Sequence, residues 1–257
     1  MYFESNNVNL NRFCAGKQDG FINRFSMGVS YFDTHEHSIG DLLNKGASLS
    51  ISIFLPGVSS VGLSLNQTEQ VFGRQTYDLT QTAVSVSKRA IDGLNYFGNI
   101  LWADQIDFAN NRLGDALIVS PNLEYAINQH MLVRLGHTYN NLDVPEGNLS
   151  RVNLTDLRFS YQFNPKSSLR LILIHNYVTR SPERYAFPIY RTSKSTDAQL
   201  LYAYELNGQS QLFAGYSTSS IDNDQLAGLE KTADTIFVKL SYAWRMQRAP
   251  LPCDDRR

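Results

Sequence analysis

Five histidines and 24 acidic residues are the raw material for hydrolytic or metal chemistry in this 257-residue chain. His137 and His175 each stand one step along a strand face from an aromatic. A histidine on the lipid side of a membrane wall suggests a phospholipase, but that chemistry needs a hydroxyl held by the imidazole and a third group to orient it. Thr138, beside His137, falls on the wrong parity to serve. Both histidines therefore read as residues of an interfacial girdle. Asp104, Asp107 and Asp115 share one loop and Asp222-Asn223-Asp224 another. Such oxygen ligands suit Ca²⁺, but neither stretch has the spacing of a calcium loop, and both read as solvated acids. His35-Glu36-His37 lacks a regular element to fix its geometry. No catalytic residue, metal site or cofactor follows from these types and spacings.

The elements that would position such residues are strands. In RVNLTDLRFSYQFNPKSSLRLILIHNY, Arg151 to Tyr177, the residues Leu157, Phe159, Tyr161 and Phe163 fall on one parity. Arg158, Ser160 and Gln162 fall on the other, which is the period of a strand with one apolar and one polar face. Asn164-Pro165-Lys166-Ser167 breaks the run, because Asn-Pro initiates turns and proline cannot donate to a ladder. Leu169, Leu171, Leu173 and Tyr177 then resume the alternation. Similar segments recur along the chain, among them Phe25 to Tyr31, Leu49 to Ile53, Val61 to Leu65, Thr82 to Val86, Met131 to Tyr139 and Ile236 to Trp244. Pro121 inside one of them predicts a bulge. Asn207-Gly208 is the strongest short hairpin signal.

Tight turns follow every second segment. Between them lie longer polar stretches: Thr34 to Lys45, Gln67 to Tyr77, Asp104 to Asp115, Asn140 to Ser150, Thr179 to Ser195 and Thr218 to Lys231. Strands of about ten residues with short and long connections in alternation are the pattern of an outer-membrane barrel. The expectation is an all-β, antiparallel, up-and-down transmembrane β-barrel of about 12 strands or slightly more, in a bacterial outer membrane. Residues 1–20 read as a remnant strand or periplasmic lead-in, 21–245 as the barrel and 246–257 as a polar tail. Leu240, Tyr242 and Trp244 form an aromatic-rich last segment, the kind of signal that outer-membrane insertion machinery reads. Membrane lipid, lipopolysaccharide and that machinery are the expected partners.

By the same parity Arg24, Glu124, Arg134, Arg158, Arg170, Glu205 and Lys239 point inward, since a Lys or Arg on the lipid face at mid-bilayer costs roughly 2–4 kcal/mol. They line a lumen that selects solutes, or they fill a narrow one with ion pairs. A formal net charge of -1 argues against nucleic acid as a partner. No stretch approaches 18 consecutive apolar residues, as a spanning helix would require. Cys14 and Cys253 match no metal spacing and read as unrelated thiols. The first residues, MYFESNNVNL, lack the basic and apolar regions of a secretory signal. The N-x-S/T triplets at Asn66, Asn148 and Asn153 have no meaning in such a membrane.

Several stretches, DFANNRLG (Asp107 to Gly114), SPNLEYAINQH (Ser120 to His130) and NLTDLRFSYQFNPKSSLRL (Asn153 to Leu171), carry a resemblance, with LLYAYELN, LFAGYS and FVKLSYAW extending it to Trp244. The region resembles an uncharacterised bacterial outer-membrane family that couples a carbohydrate-binding family-9-like periplasmic domain to a C-terminal β-barrel. The resemblance implies a barrel-only piece of a larger protein and a glycan or small solute as partner. The function expected is a pore, translocation conduit or membrane anchor; the alternative is an outer-membrane hydrolase using loop or rim carboxylates and a histidine.

Overall fold

A computed structural model describes residues 3–16, 20–36, 42–72, 75–89, 93–207, 210–226 and 228–242. These form one antiparallel sheet of 13 strands in simple sequence order. The strands are β1 (Phe3–Ala15), β2 (Arg24–Glu36), β3 (Leu42–Leu55), β4 (Ser59–Phe72), β5 (Gln75–Arg89), β6 (Leu94–Asp107) and β7 (Arg112–Asn128), followed by β8 (Met131–Val144), β9 (Gly147–Asn164), β10 (Ser167–Arg180), β11 (Thr192–Asn207), β12 (Ser210–Asn223) and β13 (Glu230–Ser241). The up-and-down antiparallel class expected from the alternation is the class observed. The weakly alternating first segment is β1, paired with β2 along its whole length from Phe3↔Glu36 to Ala15↔Arg24. Within the described residues the sheet stays open between β1 and β13.

Register puts the predicted faces together. Val61, Leu63 and Leu65 of β4 meet Ile53, Ile51 and Leu49 on one side and Val86, Val84 and Thr82 on the other. This apolar face stays uncovered: Met27, Val29, Leu63, Ile100, Leu123, Leu135, Leu200 and Val238 are all exposed. The opposite face carries Ser26, Ser48, Ser50, Ser52, Ser85 and Ser87, with Ser30 and Ser48 hydrogen-bonded across strands, as are Ser60 and Ser87 at 2.7 Å.

Two short-end turns, β7–β8 and β9–β10, are fixed by asparagine side chains. Asn128 Oδ1 accepts from the backbone N–H of His130 (2.8 Å) and Met131 (3.0 Å), and Asn164 Oδ1 accepts from that of Lys166 (2.9 Å). These are local turns in which the side chain stands in for a backbone acceptor. Each lies beside a register shift, at Ala126/Asn128 and at Ser167/Ser168.

Two expectations are corrected. Most of the polar stretches read as long loops are strand: β6 and β7 are joined by residues 108–111 and β8 and β9 by residues 145–146. Polar residues on both parities suppress the alternation signal, yet the ladder continues wherever the backbone can pair. The long connection that remains is 181–191, with a 3₁₀ turn at Pro182–Arg184. Pro121 makes no bulge either. It sits opposite Gly98, and β7 keeps one register with β8 from Val119↔Tyr139 to Asn122↔Gly136. The missing proline N–H interrupts that ladder without shifting it.

The best-packed part lies at the long-connection end. Ala116, Leu142, Val144 and Leu149 form one buried cluster with Tyr185 against it. Tyr77, Leu79 and Ile106 form another, with Phe72. The β5–β6 ladder stops at Gln81↔Ala103, the Thr80 N–H turns to the Asp104 carboxylate (2.7 Å), and Ile106 packs in beside Tyr77 and Leu79.

Candidate functional site: a charged row and the connection beyond it

The polar face of β6 to β9 concentrates the chemistry. Asn95, Glu124, Arg134 and Arg158 stand directly opposite one another on four consecutive strands. One step along, Phe97, Asn122, Gly136 and Asp156 form the parallel row. Arg134 Nε donates to Glu124, which also accepts from Asn95 Nδ2 at 3.3 Å. Arg158 grips both oxygens of Asp156, through Nε (3.0 and 3.1 Å) and Nη2 (2.6 Å). Such a two-pronged pair holds a guanidinium and a carboxylate in fixed mutual orientation. Between the rows lies a cavity of about 380 Å³ lined by these side chains and by Gly136.

Three of the predicted inward charges, Glu124, Arg134 and Arg158, are thus brought together. The others share the face but stand apart. Arg24 lies over Phe54, with Cζ 4.0 Å from the ring centroid. Arg170 stands between Ser160 and Leu201, Glu205 opposite Gln211 and Lys239 opposite Phe213. These last three make no ion pair with any described residue. Leu240 and Tyr242 are exposed on the apolar side, and Trp244 lies outside the described residues. Sequence reasoning passed over Phe97, Asn95 and Asp156, although their parity marks the same face.

Connection 181–191 folds over the polar face of the same strands, farther toward the long-connection end. Arg184 donates to the carbonyls of Asn148 and Glu146 (2.6 Å to the latter) and to Ser181 Oγ (3.1 Å). Its own carbonyl accepts from Arg112 (2.9 Å) and Asn110 (3.1 Å). Arg112 also binds the buried Asp107 carboxylate (3.0 Å) and Glu146 (2.8 Å). Gly147 is required beneath: its φ is +114°, and a β-carbon there would sit 2.9 Å from Arg184 Nη2. Burial raises the Tyr185 phenol above its ordinary 10.0, against the lowering influence of nearby Arg180. The far end of the connection is held by Asp224, which accepts from the N–H groups of Arg191 and Thr192 and from the Thr192 hydroxyl. That hydroxyl is the main reason its carboxyl lies below the usual 3.8.

The histidines do find hydroxyl partners, on neighbouring strands where sequence cannot show them. His137 Nδ1 lies 3.0 Å from Thr155 Oγ1, and His175 Nδ1 lies 2.9 Å from Thr196 Oγ1. Along one cross-strand row the order is His137, Thr155, His175, Thr196. No carboxylate orients either ring among the described residues, so each pair lacks the third member that nucleophilic catalysis uses. The next row holds Tyr139, Asn153, Tyr177 and Lys194, with Lys194 over the Tyr177 ring and bonded to Asp222 (2.9 Å). Rings and cations at one level of an apolar face make an interfacial girdle.

Most acids of the suspected cation loops are engaged by protein groups. Asp107 accepts from Arg112, Asn110 and Ala109, and Asp222 and Asp224 are engaged as above. Among the described residues no group of three or more His, Cys, Asp or Glu is placed to hold a metal. His35 lies 3.6 Å from Asp33, and His37 is outside the described residues. Cys14 is an exposed free thiol, and Cys253 is likewise outside them.

No family model and no curated protein matches the chain. Solved structures similar to the chain include two of one protein. One is in-vitro folded OmpT, an outer membrane protein of Vibrio cholerae, at 10% identity and a TM-score of 0.42, covering 95% of this chain and 97% of that one. The other is outer-membrane expressed OmpT of the same organism, at 10% identity and 0.39, covering 92% and 93%.

The wall itself carries the case for a bilayer. Exposed apolar residues spread over one face of the wall from β2 to β13 cannot be left to water, and no helix among the described residues is long and apolar enough to cross a membrane. Strands cross bilayers only as barrel walls, where all backbone groups are paired between strands. The chain is the wall of an outer-membrane β-barrel.

Proposed function

We propose that the polar face lines a lumen and that the protein works as a pore or conduit for small solutes. The observation that supports this is the row Asn95, Glu124, Arg134 and Arg158, one amide and three charged groups held in order near the short-turn end on the face away from the apolar band. A wall serving only as an anchor has no need to hold charges open to solvent, and both Arg134 and Arg158 are exposed. The resemblance to barrels joined to a glycan-related periplasmic domain adds a context in which such a conduit serves a larger protein. Lipid, lipopolysaccharide and the insertion machinery, reading Leu240 and Tyr242, are the partners this location entails.

The test is single-channel conductance of the refolded chain in a planar bilayer. Stable steps are expected, with selectivity shifting toward cations in Arg134→Ala and Arg158→Ala, since each substitution removes one positive charge from the lining. A heat-modifiable, inserted wall that never conducts would mean an anchor and end the pore proposal.

A further inference from the structure

We infer that the cavity between β6 and β9 is a binding subsite for a neutral, ring-shaped polyhydroxylated solute, that is, a sugar. The inference rests on the lumen reading above and adds the class of solute. Phe97 is the first observation. It stands on the polar face among asparagines and charges and is 49% exposed. An aromatic face left open in polar surroundings is a stacking platform without its partner, and the C–H face of a sugar ring is apolar enough to lie on it. Gly136 is the second. It stands between Asn122 and Asp156, and the Asn122 side-chain oxygen lies 2.7 Å from where a β-carbon would go, so the glycine lets that amide lie down on the floor and a larger residue would push it up into the cavity.

Charge decides the class of ligand. Glu124 and Asp156 are cancelled by Arg134 and Arg158, each already paired within the site. A free ion gains nothing there that the pairs do not already supply. Hydroxyls do gain, because the pairs leave hydrogen-bonding capacity open: Arg134 holds Glu124 through Nε, keeping its terminal nitrogens as donors. The 380 Å³ volume is in the range of small-ligand sites. Farther along the same strands, Tyr185 of connection 181–191 packs against the cluster that includes Leu142, six residues or about 20 Å from Gly136 on β8. A solute arriving from that end passes the connection first.

The experiment is saturation-transfer NMR on the refolded full chain in detergent, with maltose as probe and sorbitol and gluconate as comparisons. Maltose is expected to receive saturation, acyclic sorbitol and anionic gluconate at least fivefold less. Phe97→Ala should weaken maltose binding about tenfold, the worth of one aromatic contact, and Phe97→Tyr should restore it. Gly136→Val, checked for heat-modifiable folding, should abolish it by driving the Asn122 amide into the cavity. No transfer to maltose, or equal transfer to gluconate, overturns the inference. Because binding is read without current, a chain that binds maltose but never conducts keeps the subsite and loses the pore, whereas one that conducts but ignores maltose does the reverse.

Discussion

Replacing Arg184 by alanine removes three hydrogen bonds from a guanidinium, to two backbone carbonyls and to Ser181 Oγ, and nothing that remains can make them. A hydrogen bond to a charged group contributes about 1.5–3 kcal/mol when well buried. Arg184 is only partly buried, so about 1 kcal/mol each is the fitting scale, or about 2–4 kcal/mol together. The bonds from Arg112 and Asn110 to the Arg184 carbonyl involve backbone and survive the change. The effect should therefore be local: connection 181–191 lifts more often while the wall keeps its stability. Chymotrypsin reads this directly, because Tyr185, Phe187 and Tyr190 lie within the segment. When opening is fast compared with cleavage, the rate follows the population of the open form. A change of 2–4 kcal/mol then accelerates cleavage about 30- to 1000-fold. An Arg184→Ala chain cut at the wild-type rate would refute the clamp, and a melting temperature falling in step with faster cutting would refute its local character.

Two further outcomes follow from the same geometry. Asp224, with its carboxyl held below 3.8, contributes stability that is complete above that value and lost as pH falls through its depressed folded value. Hydrogen-exchange protection of the Arg191 and Thr192 amides should thus hold from neutral pH down to about 4, then vanish at lower pH, and be absent throughout in Asp224→Asn. At Gly215, the Phe237 ring lies where a β-carbon would go, with Cε1 and Cζ at 2.5 Å and the Leu200 carbonyl at 3.2 Å. Gly215→Val should cost about 1–3 kcal/mol in urea unfolding, and adding Phe237→Leu should recover most of it; a neutral single variant would show that the ring does not cover that glycine.

Parity alone was enough to read the wall, because one buried or lipid-covered face forces period two on every strand. Arg134 and Arg158 were legible as neighbours on one face for that reason. Of their counterparts only Glu124 needed register, meeting Arg134 through the β7–β8 pairing, whereas Asp156 stands two residues from Arg158 on the same face of one strand. The hydroxyl partners of His137 and His175 were out of reach, since Thr155 and Thr196 lie 18 and 21 residues away and meet the rings across strands. The outer ends of the hairpins were misread as loops, because residues polar on both sides carry no periodicity even when their backbones pair. Arg184 gave no signal at all; a clamp made to backbone carbonyls depends on where the chain passes, not on which residues it contains.

The thirteen strands of the described residues, laid down by successive reversals, leave the first and the last running in the same direction. Direction in such a meander is a sign that flips at every turn, and an odd count returns it unchanged. A seam formed straight between β1 and β13 would therefore be parallel, with the slanted bonds of that pairing, while every other joint in the wall is antiparallel. An antiparallel seam takes one more strand, from whatever source. In hydrocarbon neither edge can stay bare, for each unpaired backbone group there costs several kcal/mol. The handedness of a single joint, same-way or opposite, thus separates a ring that this wall finishes by itself from one that needs a guest.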